Sequence, residues 1–150
     1  MKKHSLFIIS VLSALVLLLL CFSGCENTLT GDVSTAEAIE GEWNVEENSE
    51  FYSGTSSYQV YIGIAPSDSS KVIISNFYQL GYDTEVTGNI SGTRIELDPN
   101  QLVNLSGISS YVIKQGVGTV SDDYQRIEWQ YQVDDGSGDI DNADAIYTKR

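Results

Sequence analysis

From position 41 onward the chain is built of short runs in which apolar and polar residues alternate, separated by clusters of Gly, Asn, Asp and Ser. A period of two puts every second side chain on the same face of an extended strand, so such runs predict strands with one buried and one wet face. The clearest is 126–133, where Ile127, Trp129, Tyr131 and Val133 alternate with Arg126, Glu128, Gln130 and Gln132. Similar runs predict strands over 43–47, 58–64, 71–75, 85–91, 93–97, 111–120 and 143–149. Gly92, between Ser91 and Thr93, marks a tight corner joining two of them in a hairpin, and 134–142 forms a longer hairpin loop. The segment 99–103 suits one helical turn, a loop or a bent edge strand equally well. Strands in this order with short connections predict an all-β fold, an eight-stranded antiparallel up-and-down meander barrel, with a two-layer β-sandwich as the alternative. Closure removes exposed strand edges and favours the barrel.

The N-terminal region follows another pattern. Lys2 and Lys3 precede an apolar run from Leu6 to Leu20 broken only by Ser10 and Ser13, and Phe22-Ser23-Gly24-Cys25 closes it. A charged start, an apolar middle and small residues at the end are the parts of a secretory signal. The run is nearly long enough to cross a bilayer as a helix, but small residues directly before a cysteine favour cleavage there. Cys21 follows the bulky Leu20 and is the poorer cleavage site. Residues 26–40 are polar and short of large apolar groups, with one helical turn expected at 35–39. The expected organisation is a signal peptide over 1–24, a flexible tether over 25–39 and a β-barrel domain over 40–150.

Composition narrows the chemistry. The only His is His4 and the only Met is Met1, both in the segment expected to be removed, which leaves Cys25 as the sole cysteine of the mature chain. A Ser-His-Asp or Cys-His centre and an ordinary zinc site therefore lack their residues, and no enzymatic activity, cofactor or metal is expected. Loss of Lys2 and Lys3 leaves six basic and 21 acidic side chains, a formal charge of −15. That balance argues against nucleic acid and against adhesion of the protein surface to anionic lipid, while leaving room for a basic partner.

Two resemblances follow from short motifs. The end of the apolar run closely resembles the signal of bacterial lipoproteins, which implies that Cys25 receives lipid and becomes the mature N-terminus. Gly41-Glu42-Trp43 at the first strand resembles the Gly-x-Trp opening of lipocalins and related calycin barrels. With the segment 72–81 (VIISNFYQLG) and the terminal Tyr147-Thr148-Lys149, the chain is similar to small lipocalin-like lipoproteins of Gram-negative bacteria, many without an assigned activity. The resemblance implies a palmitate-type anchor holding a barrel at the outer membrane, on its periplasmic face or the cell surface. It also implies that Lys149 or Arg150 packs over Trp43.

Tyrosine dominates the aromatic content and can serve either core packing or contact with a partner. Tyr52, Tyr78, Tyr82 and Tyr124 fall in turns and are the expected exposed contacts. Asp134, Asp135, Asp139, Asp141 and Asp144 crowd one loop, but their spacing does not match an EF-hand, and a solvated hairpin tip is expected. Glu46 and Glu128 are acids of the kind glycoside hydrolysis needs, although nothing in the sequence spacing pairs them. The near copies 53–58 and 106–111 read as similar turns entering two strands; their Ser-Gly loops and late Tyr-Thr-Lys are also similar to periplasmic lysozyme inhibitors. The expected role is a non-enzymatic, lipid-anchored binding or interaction module. The alternatives are an inhibitor of a basic secreted enzyme such as lysozyme, and a carrier of a small apolar ligand whose cargo needs an interior not filled by Trp129 and Tyr131.

Overall fold

A computed structural model describes residues 30–105 and 109–150. The expected signal peptide, the lipid-receiving Cys25 and the turn at 106–108 lie outside the described residues. A helix, α1 (Thr30–Ile39), precedes nine strands: β1 (Gly41–Ser49), β2 (Thr55–Ala65), β3 (Asp68–Ser75), β4 (Glu85–Ser91), β5 (Arg94–Leu97), β6 (Gln101–Leu105), β7 (Ser109–Val120), β8 (Arg126–Asp134) and β9 (Ile140–Lys149). Every pairing is antiparallel and between neighbours in the order β5-β4-β3-β2-β1-β9-β8-β7-β6, with a further pairing of β5 to β7. That last pairing closes β1 to β5 and β7 to β9 into an eight-stranded meander barrel, lipocalin-like in architecture. Among the described residues no helix is long and apolar enough to cross a membrane.

The segment 99–103, open between three conformations in the sequence, contributes the extra strand β6. Strands β5 and β6 share one edge of β7, with Glu96 opposite Val117 and, further along, Gln101 opposite Ile113. Between them the chain turns outward, and two side chains hold the corner to β4. The Gln101 amide takes the place of a strand backbone, accepting from the Thr87 N–H at 2.7 Å and donating to the Thr87 carbonyl at 2.8 Å. Asp98 accepts from Lys71, Thr87 and Asn89 at 2.7–2.8 Å. These bonds, with the Lys71 charge, hold the Asp98 carboxyl below its ordinary range.

The expected flexible tether over 25–39 needs correction from Thr30 onward. The helix spans Thr30–Ile39, longer than the turn expected at 35–39. Ala36 and Ile39 are fully buried, so an apolar edge holds the helix across the barrel end where β1 begins. Trp43 donates its indole N–H to the Ile39 carbonyl at 2.9 Å, and Lys149 donates to the Ala38 carbonyl. The Lys149 ammonium also stands 5.8 Å from the Trp43 ring centroid, the cation placement the resemblance implied.

The interior follows from strand parity. Trp43, Val45, Val60, Ile62, Val72, Ile74, Ile95, Ile127, Trp129 and Tyr147 are all essentially inaccessible. Each such large side chain contributes roughly 1.5–3 kcal/mol by leaving water. Trp129 is accommodated because its neighbour across the ladder is Gly118, where a Cβ would meet the indole carbons at 2.9 Å. Phe77, in the 3-10 turn Phe77–Gln79 after β3, packs its ring 5.9 Å from Trp129 and 4.6 Å from Tyr131. Among the described residues these large side chains pack the middle of the bore.

Candidate functional site

Two polar constellations stand out, one inside the barrel and one on its outer wall. Inside, Glu47 on β1 is only 4% exposed and Asp141 on β9 only 1%. Strand parity puts both inward, Glu47 in step with Trp43 and Val45, Asp141 with Ala143, Ala145 and Tyr147. Tyr58 donates to Glu47 Oε2 at 2.5 Å and Tyr131 donates to the same oxygen. Burial raises the Glu47 carboxyl above its ordinary value; the two phenol bonds draw it partly back and the Asp141 charge pushes it up again. Burial is also the main reason the phenols of Tyr58, Tyr78, Tyr131 and Tyr147 are held above the ordinary tyrosine range. The Trp129 indole N–H and the Tyr147 hydroxyl, both buried, have no hydrogen-bond partner among the described residues, although the Tyr58 phenol lies close enough to Tyr147 to act on it.

Asp141 has four donors. Ser49 Oγ donates at 2.6 Å, the Glu50 and Phe51 N–H groups at 2.9 and 3.2 Å, and the Tyr78 hydroxyl at 2.5 Å. It thereby ties the end of β1 to the segment 76–84, which covers this end of the barrel. The backbone there bends through left-handed conformations at Asn76 (φ 62), Tyr78 (φ 53) and Gln79 (φ 58), each strained for a residue with a Cβ. Asn76 stabilises the bend by donating to the Gln59 carbonyl at 2.6 Å and accepting from the Gly81 N–H at 2.7 Å. Enclosed in this way, the Glu47 carboxyl is bonded to two phenols and only 4% exposed.

The outer constellation arises because opposed residues on neighbouring strands fall on one face. Gln115, Gln132 and Asn142 are register partners across β7, β8 and β9. Their amides form a chain: Gln115 donates to Gln132 at 3.0 Å, Gln132 to Asn142 at 2.8 Å and Asn142 to the Glu50 carboxylate at 2.6 Å. The next rung along the strands is Glu96, Val117, Gln130, Asp144 and Asn48. Together the rungs line a groove of about 800 Å3, bordered by Leu97 and Pro99 at the β5–β6 corner and by Glu50 at the opposite rim. A second hollow of about 460 Å3 shares Asn48, Val117, Gln130 and Asp144 with it. It adds Arg94 and Arg126, which are ion-paired to Glu96 and Glu128 at 2.7 and 3.0 Å. No Lys, Arg or His lines the larger groove.

The expected contact tyrosines divide. Tyr52 and Tyr82 are 55% and 60% exposed. Tyr124, at φ 57 in the turn after β7, is only half-buried against the core. Tyr78 is corrected: it is 7% exposed, because the left-handed bend aims its ring at Tyr111 and Tyr131 and its hydroxyl at Asp141. Asp141 is likewise no part of a solvated hairpin tip, since β9 begins at Ile140. Among the described residues no group of three or more His, Cys, Asp or Glu is placed to hold a metal ion. Glu46 and Glu128 both lie opposite Ile146 and face solvent on the outer wall, Glu128 engaged by Arg126. The amide groove had no sequence expectation; its only signal was the polar half of the alternation in β8, Gln130 and Gln132.

Compared with known proteins, the chain matches no protein-family model and no curated protein sequence.

Proposed function

We propose that this chain is a lipid-anchored contact module of the outer membrane, tethered through acylated Cys25 and acting without catalysis through the outside of its barrel. One observation carries the reading: Trp43, Phe77, Trp129 and Tyr147 pack the middle of the bore, whereas a hollow of about 800 Å3 lies on the outer wall. Carriage of an apolar cargo needs the reverse arrangement. The apolar run ending in Ser23-Gly24-Cys25 supports the anchor. Metabolic labelling with a palmitate analogue tests it: wild type incorporates label and Cys25→Ala does not, and label persisting in the variant overturns the anchor. Titration of the full chain with an apolar fluorophore tests the mode of action, with no saturable uptake expected.

A second reading, inhibition of a basic secreted enzyme, draws on Glu50, Glu96 and Asp144 in a groove without a cation. It predicts co-purification with lysozyme that is lost at high salt.

A further inference from the structure

We propose that the outer groove binds a neutral oligosaccharide, an inference that rests on the contact-module reading and gives it a ligand class. The two rungs of the groove differ in how their polar groups are used. In the first, Gln115, Gln132, Asn142 and Glu50 spend hydrogen bonds on one another, which fixes the amide planes before any ligand arrives. In the second, the Gln130 amide and the Asp144 carboxylate lie opposite each other in register and have no side-chain hydrogen bond among the described residues, although both line the groove. Rigid groups flank unspent ones, which suits a ligand that brings its own donors and acceptors.

The chemistry of the unspent groups narrows that ligand. A side-chain amide offers two donors and a carbonyl acceptor, and a carboxylate only accepts. A sugar hydroxyl donates and accepts at once, so adjacent hydroxyls can bridge Gln130 and Asp144 across the spacing of neighbouring strands, about 4.8 Å. Val117 and Pro99 supply aliphatic surface in the same groove against which the C–H face of a ring can lie. The continuation of the groove into the second hollow favours a chain of several rings over a single one.

Charge excludes the main competitors. With Glu50, Glu96 and Asp144 in the larger groove and no cation there, a phosphate, sulfate or uronate seated in it would meet repulsion, and in the adjoining hollow Arg94 and Arg126 are already paired to Glu96 and Glu128. A basic peptide would find carboxylates, but Asn142 already occupies Glu50, Arg94 already occupies Glu96, and most of the polar lining is uncharged amide.

The test uses the full chain in detergent, titrated calorimetrically with chitohexaose, cellohexaose and maltohexaose, with oligogalacturonate as the anionic control and polylysine as the cationic one. At least one neutral chain is expected to bind saturably, with an affinity that does not change between low and high salt. Gln130→Ala is expected to weaken it about tenfold without moving the melting temperature, because the side chain is exposed. Asp144→Asn, which keeps the acceptor oxygen, is expected to retain most of the binding, and Gln59→Ala on the outer face of β2 all of it. Failure of all three neutral chains to bind, or binding indifferent to Gln130→Ala, overturns the inference. Salt-sensitive binding of polylysine alone also overturns it while leaving the contact module standing. Saturable uptake of an apolar fluorophore that Gln130→Ala does not disturb overturns the contact module itself.

Discussion

At the end of the barrel where β1 begins, closure is mainly apolar: Ala36 and Ile39 of α1 are fully buried, Ile39 bonds through its carbonyl to Trp43, and Lys149 lies over the Trp43 ring and bonds to the Ala38 carbonyl. At the other end closure is polar and ionic, with Glu47 and Asp141 buried beneath 76–84 and bonded to Tyr58, Tyr131, Tyr78 and Ser49. The first arrangement gains from removing surface from water at any pH. The second depends on a carboxylate finding enough donors to offset its desolvation, and on whether Glu47 carries a proton. One barrel thus holds a pH-indifferent end and a pH-responsive one.

Four substitutions sharpen or break that contrast. Trp43→Ala should have the largest effect, a loss of about 3–5 kcal/mol, read as a shift of the denaturation midpoint that is the same at pH 5 and pH 8. Asp141→Ala should cost about 2–3 kcal/mol and free the polar end selectively. Hydrogen exchange should accelerate at the Leu80 and Gly81 amides, which bond to Phe77 and Asn76, while amides of β1 near Trp43 stay protected. If 76–84 remains as protected as in wild type, Asp141 is not what holds that end.

Lys149→Met should cost about 1 kcal/mol through loss of the cation over Trp43 and of the bond to Ala38, visible as a small drop in melting temperature. The smallest effect is a slope. The folded protein holds the Glu47 proton to a higher pH than the unfolded chain, so the stability from the protonated form is complete below the ordinary value of 4.5 and is lost as pH rises through the raised one. Glu47→Gln should flatten that decline and leave the variant relatively more stable as pH increases, measured by denaturation at a series of pH values. An unchanged slope would show that Glu47 does not set the response.

Much of the barrel was legible because strand parity is a strong local signal. The run 126–133 alternates without a break and β8 covers it, while β4 and β5 form the hairpin anticipated at Gly92, which adopts φ 57. The same signal contained the buried acids, since Glu47 and Asp141 occupy the inward positions of their strands, but a charged residue at such a position is read as marking a strand end. That is why β9 was expected to begin at 143 instead of Ile140. Strand β6 was undecided because Pro99-Asn100 precedes it and its partner is the first half of β7, a separate segment of the chain. Tyr78 was misread because its direction depends on left-handed residues that carry no glycine signature. The groove was invisible for a further reason: Gln115, Gln130, Gln132, Asn142 and Asp144 are brought together only by register between strands, which no single segment encodes.

The pairing of β1 with β9, which sets Trp43 beside Lys149, has a consequence for how the protein is made. Until the last strand has been synthesised, the first has nothing to zip against on one side and the cylinder stays open, however well the intervening hairpins have formed. A nascent chain therefore cannot close the barrel until β9 has emerged to lie beside β1.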